Sequence, residues 1–116
     1  MSHNYKLQIK DDNQLWFLEK NISVFDCLEF FEKDSIVDKD GKSLLTDSEP
    51  RKNIFETDLG WSFESFIEKG KFYISERSAS RPGTAKFIKE SNLKIGDSLI
   101  IEKVEKYKFK LSTQRG

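Results

Sequence analysis

The chain has 116 residues, with 20 Lys and Arg, 20 Asp and Glu, and a mean hydropathy of −0.64. A chain of this length is expected to form one domain, residues 1–116, with a core of its own. No stretch approaches the ~20 apolar residues of a membrane span. The first residues lack the apolar run of a signal peptide, so we expect a cytoplasmic protein with no membrane partner.

Side chains with catalytic or metal-binding chemistry are scarce. The chain has one histidine, His3, and one cysteine, Cys27, so it lacks the several ligands of a zinc site and, outside its first residues, a nucleophile–histidine pair. Cys27 lies among apolar residues and is expected to be a small buried hydrophobe. For a metal-dependent nuclease the nearest linear candidate is Glu102 with Lys106, which the solvent face of a hairpin explains better. We therefore expect no catalytic residue, no metal, no cofactor and no small-molecule substrate.

Charge is divided unequally along the chain. Residues 1–68 contain 8 Lys and Arg against 15 Asp and Glu, a balance of −7, whereas residues 69–116 contain 12 against 5, a balance of +7. Such an asymmetry indicates that the second half faces a polyanion. The alternative, equally compatible with the sequence, is that the two halves attract each other within a mixed sheet.

The first third of the chain predicts a strand hairpin and a helix. Residues 5–10 alternate apolar and polar side chains, which indicates a half-buried strand. Residues 14–19, after the turn cluster 11–13, predict a second strand that completes a hairpin. Residues 23–33 have the apolar spacing of a helix capped by Ser23, although their aromatic side chains also suit a strand.

The middle of the chain predicts further short elements. Segments 35–37 and 43–46 flank a charged turn and predict another hairpin, and residues 54–57 predict a short strand. Residues 58–69 predict a short helix, since several apolar side chains are compatible with helical spacing.

The region that follows predicts a strand, a basic loop and a helix. Residues 71–76 are rich in β-favouring aromatic and branched side chains and predict a strand. Residues 77–83 form a polar loop that ends in a Pro-Gly pair. Thr84 is expected to cap a short helix over residues 84–91, and Asn92 to end it, because asparagine tolerates a left-handed backbone.

The chain closes with a turn and two strands. Gly96 and Asp97 predict a sharp turn, in which glycine supplies a backbone angle that other residues resist. Residues 98–104 and 107–112 predict a hairpin, and the second of these strands alternates apolar and lysine side chains. Eight residues from the helix to the last strand are expected in the core: Phe87, Ile88, Leu93, Ile95, Leu99, Ile101, Phe109 and Leu111.

Three short motifs carry a resemblance to a known family. Phe87-Ile88-Lys89-Glu90 is followed by Asn92-Leu93, and then by Gly96-Asp97 and an apolar strand. This series is similar to the C-terminal half of the DNA-binding pseudobarrel superfamily, which includes the plant B-three transcription-factor domains and the DNA-reading domains of bacterial restriction endonucleases. The chain differs from the plant pattern in having Gly83-Thr84 in place of a tryptophan before the helix. The family's first DNA-contacting arm has no counterpart that the sequence identifies.

The resemblance implies a mainly β fold with short helices, arranged as an open β-barrel. The segments predicted above amount to about seven strands. It implies sequence-specific binding of double-stranded DNA through loops that enter the major groove. It also implies the non-catalytic recognition or effector domain of a bacterial restriction endonuclease system. Since 116 residues suffice for a core, we expect a monomer, either fused to or working with a nuclease or motor domain.

The candidate DNA contacts lie mainly on the basic loop and the helix. Arg77 and Arg81 carry planar donors that can pair with guanine O6 and N7, and Lys86 and Lys89 suit phosphates. The other candidates are hydroxyl, aromatic and basic side chains: Ser78, Ser80, Thr84, Trp61, Arg51 and Lys52. For the loop, the alternative is an ordinary solvated, serine-rich surface.

The two tryptophans also have two interpretations. Trp16 and Trp61 are expected in the core, because tryptophan rings are largely buried on average. Trp61, which stands between Gly60 and Ser62, is the better candidate for a partly exposed contact.

Two other functions remain open. One is a small β-barrel protein-interaction module whose basic half meets an acidic partner. The other is a swapped-hairpin transcription regulator, since Gly96-Asp97 followed by a hairpin is also similar to that family, although its members are much shorter chains.

Overall fold

The computed structural model describes residues 4–20, 22–38, 42–43, 49–69, 73–75 and 83–116. Within these ranges seven strands form a curled half-barrel, which confirms the expected mainly β fold. The strands are β1 Asn4–Gln8, β2 Ile36–Val37, β3 Asn53–Thr57, β4 Ser62–Glu68, β5 Tyr73–Ser75, β6 Ser98–Glu105 and β7 Lys108–Gln114. The helices are α1 Asp12–Lys20 and α2 Gly83–Ser91, with short 3-10 helices at Phe25–Phe30 and Lys33–Ser35.

The sheet has the strand order β1-β6-β7-β3-β4-β2, and β5 also pairs with β4. Antiparallel pairs join β1 to β6, β6 to β7, β3 to β4 and β4 to β5, whereas β3–β7 and β2–β4 are parallel. The first four residues of β4 pair with β3, and its last residues pair with β2 and β5. This exchange of partners along one strand turns the sheet. The β6–β7 hairpin pairs with β1 on one side and with β3 on the other.

Stacked phenylalanines form the centre of the core. The Phe109 ring lies 4.5 Å from the Phe31 ring and 5.5 Å from the Phe55 ring, measured between centroids. Seven of the eight predicted core residues are buried. Ile95 is the exception, at 54% exposed, because it lies in the turn with Gly96 and its side chain faces outward there.

The predicted strand at residues 14–19 is wrong, because this segment lies within α1. The Asp11 carboxylate accepts the Gln14 backbone N–H at 2.7 Å, and Gln14 Oε1 accepts the Lys10 N–H at 2.8 Å. These two bonds satisfy backbone donors at the start of a helix. The helix buries Leu18 and turns Trp16 outward, at 52% exposed, so the core position expected for Trp16 is also wrong.

The predicted helix at residues 58–69 is wrong as well. Thr57 Oγ1 donates to the Trp61 carbonyl at 2.7 Å, and Gly60 has a φ of 90°, so a tight turn joins β3 to β4. Along β4 the buried positions Ser65 and Ile67 alternate with more exposed ones. That period of two is the pattern of a strand with one face on the core, and it outweighs the helical spacing of a few apolar side chains.

The remaining N-terminal predictions are met in part. Residues 23–33 hold the 3-10 helix Phe25–Phe30, interrupted at Cys27, instead of an α-helix. Cys27 is buried as expected. Val37 bridges Ser43 in antiparallel fashion, which fits the predicted hairpin, while the rest of its tip and second strand lies outside the described residues.

The C-terminal elements follow the predictions closely. β6, β7 and α2 stand where the pattern places them, and the part of segment 71–76 that the structure describes is β5. Asn92 has a φ of 53° and Gly96 a φ of 97°, so both adopt the left-handed backbone expected of them. Tyr107 lies in the turn before β7 with a φ of 64°, which is an unusual conformation for a bulky residue.

Candidate nucleic-acid interface

The candidate contacts divide between two ends of the sheet. β3 and β7 run parallel, so Arg51 and Tyr107 lie at one end of this strand pair and Trp61 at the other. We call the end with Trp61 and α2 the helix end, and the end with Arg51 and Tyr107 the tyrosine end. Four steps of β3 separate them, about 13 Å at ~3.3 Å per residue.

Trp61, Lys86 and Glu90 form a cluster at the helix end. The Lys86 ammonium lies 4.5 Å from the centre of the Trp61 ring. The Trp61 indole N–H donates to Glu90 Oε1 at 3.1 Å, and Glu90 Oε2 lies 3.9 Å from Lys86 Nζ. Trp61 is partly buried against the core. Two predicted contacts, Trp61 and Lys86, are therefore adjacent, although they are distant in sequence.

One side of α2 faces the core and the other faces solvent. Buried positions recur as Thr84, Phe87, Ile88 and Ser91, the spacing of one helical face. Thr84, a predicted contact, is only 1% exposed, because the helix turns that position inward. Lys89 is exposed on the opposite side, as a phosphate contact requires.

Four predicted contacts on the loop, Arg77, Ser78, Ser80 and Arg81, lie outside the described residues. Their flanks are described: β5 ends at Ser75 and α2 begins at Gly83. A Cβ placed on Gly83 would lie 2.6 Å from Cδ2 of Phe63, so the helix start packs directly on that ring. Since the Phe63 ring is 6.0 Å from that of Trp61, the start of α2 lies near the Trp61 cluster.

Arg51 and Lys52 stand apart from this cluster. At the tyrosine end the Arg51 guanidinium lies 4.1 Å above the Tyr107 ring, and Lys52 lies 5.6 Å from the Phe66 ring. The Tyr107 hydroxyl is 2.8 Å from both carboxylate oxygens of Asp34, and this hydrogen bond raises the pKa of Tyr107. An open hollow of about 520 Å³ lies beside these groups, lined by Phe31, Glu32, Lys33, Asp34, Lys106 and Tyr107. Arg51 is thus placed to hold the strained Tyr107 turn.

Ion pairs join the acidic and basic halves of the chain. Lys108 Nζ lies 3.1 Å from Glu56 of the neighbouring strand, and Lys106 Nζ lies 3.4 Å from Glu32. The bond to Glu56 raises the pKa of Lys108. On the outer face Lys110 lies between Glu102 and Glu56 in the register. Two lysines of the basic half, Lys106 and Lys108, are therefore paired with carboxylates of the acidic half.

Arg115 binds the C-terminal end of α2. Its guanidinium donates to the carbonyls of Ser91 at 2.6 Å and Asn92 at 3.2 Å, and pairs with Asp97 at 2.8 Å. Asp97 also accepts backbone N–H bonds from Gly116 and Lys94, which with Arg115 lower its pKa. Cations and donors at a helix C-terminus satisfy carbonyls that lack a partner within the helix. These contacts position α2 on the sheet.

A pH-dependent stability follows from Asp97. Because its folded-state pKa is lowered, the carboxylate contributes stability that is present above the unfolded pKa, about 3.9, and is lost as the pH falls through the lower folded value. In urea unfolding, Asp97→Asn should be less stable than wild type at neutral pH, and the difference should shrink at acid pH, below about 3.9. Glu102→Gln, on the exposed outer face, is the control. A difference that is the same at both pH values would contradict this role.

Comparisons with known proteins give no match: no family model, no curated protein and no solved structure resembles this chain at a significant level. Among the described residues, no group of three or more His, Cys, Asp or Glu side chains is placed to hold a metal ion. No helix of the described part is long and apolar enough to cross a membrane.

The sequence did not single out Glu90 or Arg115. The Lys86–Glu90 spacing of four residues is a readable helical pair. The bond between Trp61 and Glu90, 29 residues apart, has no local signal. Arg115 reaches the end of α2 across 24 residues, and this also depends on the tertiary fold.

Proposed function

We propose that this chain binds double-stranded DNA in a sequence-specific manner, through the loop between β5 and α2 and the exposed face of α2. The observation that supports this most directly lies at the helix end: Lys86 and Lys89 are exposed on α2, and Lys86 lies over the Trp61 ring. The segment that carries Arg77 and Arg81 directly precedes α2 in the sequence, and the first residue of α2, Gly83, packs on Phe63.

The two kinds of cation have different roles in this proposal. Arginine presents a planar pair of donors to guanine in the major groove and so reads sequence, whereas lysine neutralises phosphates and fixes position. Away from the helix end, Lys108 pairs with Glu56 on the sheet and Lys106 of the β6–β7 turn pairs with Glu32. In this proposal, specificity depends on the loop.

The test is a binding series of Arg77→Ala, Arg81→Ala and Lys89→Ala on a duplex selected from a random pool and on its scrambled form, at two salt concentrations. At least one arginine variant should lose about 1–3 kcal/mol on the selected duplex and relax the preference at one base pair. Lys89→Ala should weaken both duplexes alike and reduce the salt slope by about one ion. Lys110→Ala, between two carboxylates on the sheet, is the matched control.

Two outcomes would contradict the proposal. Equal, sequence-blind losses in all three variants would mean that the loop contacts phosphates alone. Full retention of affinity in both arginine variants would place the readout elsewhere, for instance at Arg51 and Lys52 of the tyrosine end.

The wider setting is proposed from the resemblance. We propose a non-catalytic cytoplasmic domain, monomeric by itself, that supplies DNA recognition or an effector function to a nuclease or motor domain of a restriction system.

A protein-interaction module is the second candidate, and one observation favours it. Trp16 and Phe17 of α1 are 52% and 55% exposed, with their rings in edge contact at 5.1 Å. Exposed aromatic pairs of this kind are enriched where proteins meet. The arginine series also separates the two candidates, because a protein-binding module has no sequence-dependent affinity for a duplex.

A further inference from the structure

Glu90 lies on the exposed side of α2, which the proposed function assigns to DNA. One carboxylate oxygen accepts the Trp61 indole N–H at 3.1 Å, and the other lies 3.9 Å from the Lys86 ammonium. The donors of two side chains from different elements thus converge on one anion. The anion is supplied by the protein itself.

A DNA phosphate needs the same donors. Its oxygens accept hydrogen bonds from side-chain N–H groups and are neutralised by lysine. Lys86 and Glu90 are 52% and 46% exposed, and exposed pairs of this kind are weak because water and salt screen them. An incoming phosphate can therefore displace the carboxylate. The displaced carboxylate stays nearby, and its negative charge repels the phosphate.

We infer that Glu90 is an internal competitor of DNA: it occupies the donors of Lys86 and Trp61 in the free protein and limits the affinity of α2 for the phosphate backbone. This inference rests on the proposed function. It assigns Glu90 a role opposite to that of its neighbours on the same exposed face. Lys86 and Lys89 attract the duplex, and Glu90 lowers non-specific attraction, so that binding depends more on the base contacts of the loop.

The first test compares Glu90→Gln with Glu102→Gln on a selected and a scrambled duplex at low salt. Both changes remove one negative charge, but Glu102 is exposed on the outer face of β6 and not on α2. Glu90→Gln should bind both duplexes about threefold more tightly, the effect of one unit charge about 6 Å from a phosphate in water. Glu102→Gln should stay close to wild type, and the gain should shrink at high salt.

The second test follows Trp61 directly. In a Trp16→Phe background Trp61 is the remaining tryptophan. Its emission should change as duplex is added, with the same midpoint as binding, because the indole N–H exchanges Glu90 for another acceptor. Emission that is unchanged at saturation would overturn the inference, since the indole would then still be bonded to Glu90.

The outcomes separate this inference from the proposed function. If neither wild type nor Glu90→Gln binds any duplex, both fail. If wild type binds and Glu90→Gln matches Glu102→Gln, the proposed function stands and the competitor role is overturned. If Glu90→Gln binds more weakly and loses preference at one cytosine, Glu90 accepts a hydrogen bond from that base, which also overturns the competitor role.

Discussion

Replacing Phe109 by alanine should lower the free energy of unfolding by about 3–5 kcal/mol. Phe109 is fully buried on β7, and its ring stacks on Phe31 at 4.5 Å and on Phe55 at 5.5 Å. Truncation removes the apolar surface of one ring and leaves a cavity that the neighbouring strands β6 and β3 cannot close, because hydrogen bonds hold them on both sides.

Urea unfolding measures this effect through a lower midpoint with an unchanged slope. Since a domain of this size is stable by roughly 5–15 kcal/mol, the loss is a large share of the total. Val104→Ala, at an exposed position on β6, is the control and should change stability by less than about 0.5 kcal/mol. A loss below about 1 kcal/mol for Phe109→Ala would contradict a core centred on the stacked rings.

Replacing Gly83 by valine should destabilise the fold by about 3 kcal/mol, at the upper end of the range for overpacking. A Cβ at this position would lie 2.6 Å and 2.7 Å from ring atoms of Phe63. That ring is held in turn by stacking on Phe55 at 5.2 Å, so it cannot swing aside. Valine and glycine differ by only a few tenths of a kcal/mol in helix propensity. The steric clash therefore determines that the substitution lowers the free energy of unfolding.

The cause is tested with a second substitution. Gly83→Ala should be less harmful than Gly83→Val, because alanine regains up to about 1 kcal/mol of helix propensity. Phe63→Leu removes part of the ring, so the valine change should be less harmful in the Phe63→Leu background than in wild type. Additive losses in that double-mutant cycle would show that the clash with Phe63 is not the reason.

Local patterns account for the C-terminal third of the fold. In β7 the alternation of Phe109 and Leu111 with lysines matches one buried and one solvated face, and the strand lies where that period places it. In α2 the core face and the left-handed stop at Asn92 are both readable from neighbouring residues. Elements whose signal is complete within ten residues can be predicted, because backbone preference and burial point the same way.

The two wrong predictions of secondary structure concern short segments whose residues are compatible with both a helix and a strand. The aromatic residues of α1 favour a strand by composition, and the bonds of Asp11 and Gln14 at its start favour a helix. Over residues 58–69, Trp61, Phe66 and Ile67 are compatible with a helix, while the Gly60 turn and the period-two burial of β4 make residues 62–68 a strand. In both segments the tertiary structure decides, since the difference in local preference is small compared with the burial of one core side chain.

By itself, the sequence determined the mainly β class, the α2–turn–hairpin order and the basic character of the loop and helix that carry the candidate contacts. Only the tertiary structure decided which of those residues share a surface. It brings Trp61 to Lys86 and Glu90, turns Thr84 into the core and places Arg51 on Tyr107 at the opposite end. These contacts join residues far apart in the chain, 73 positions for Tyr107 and Asp34. They are set by strand order and register, above all the parallel pairing of β3 with β7, which no local pattern encodes.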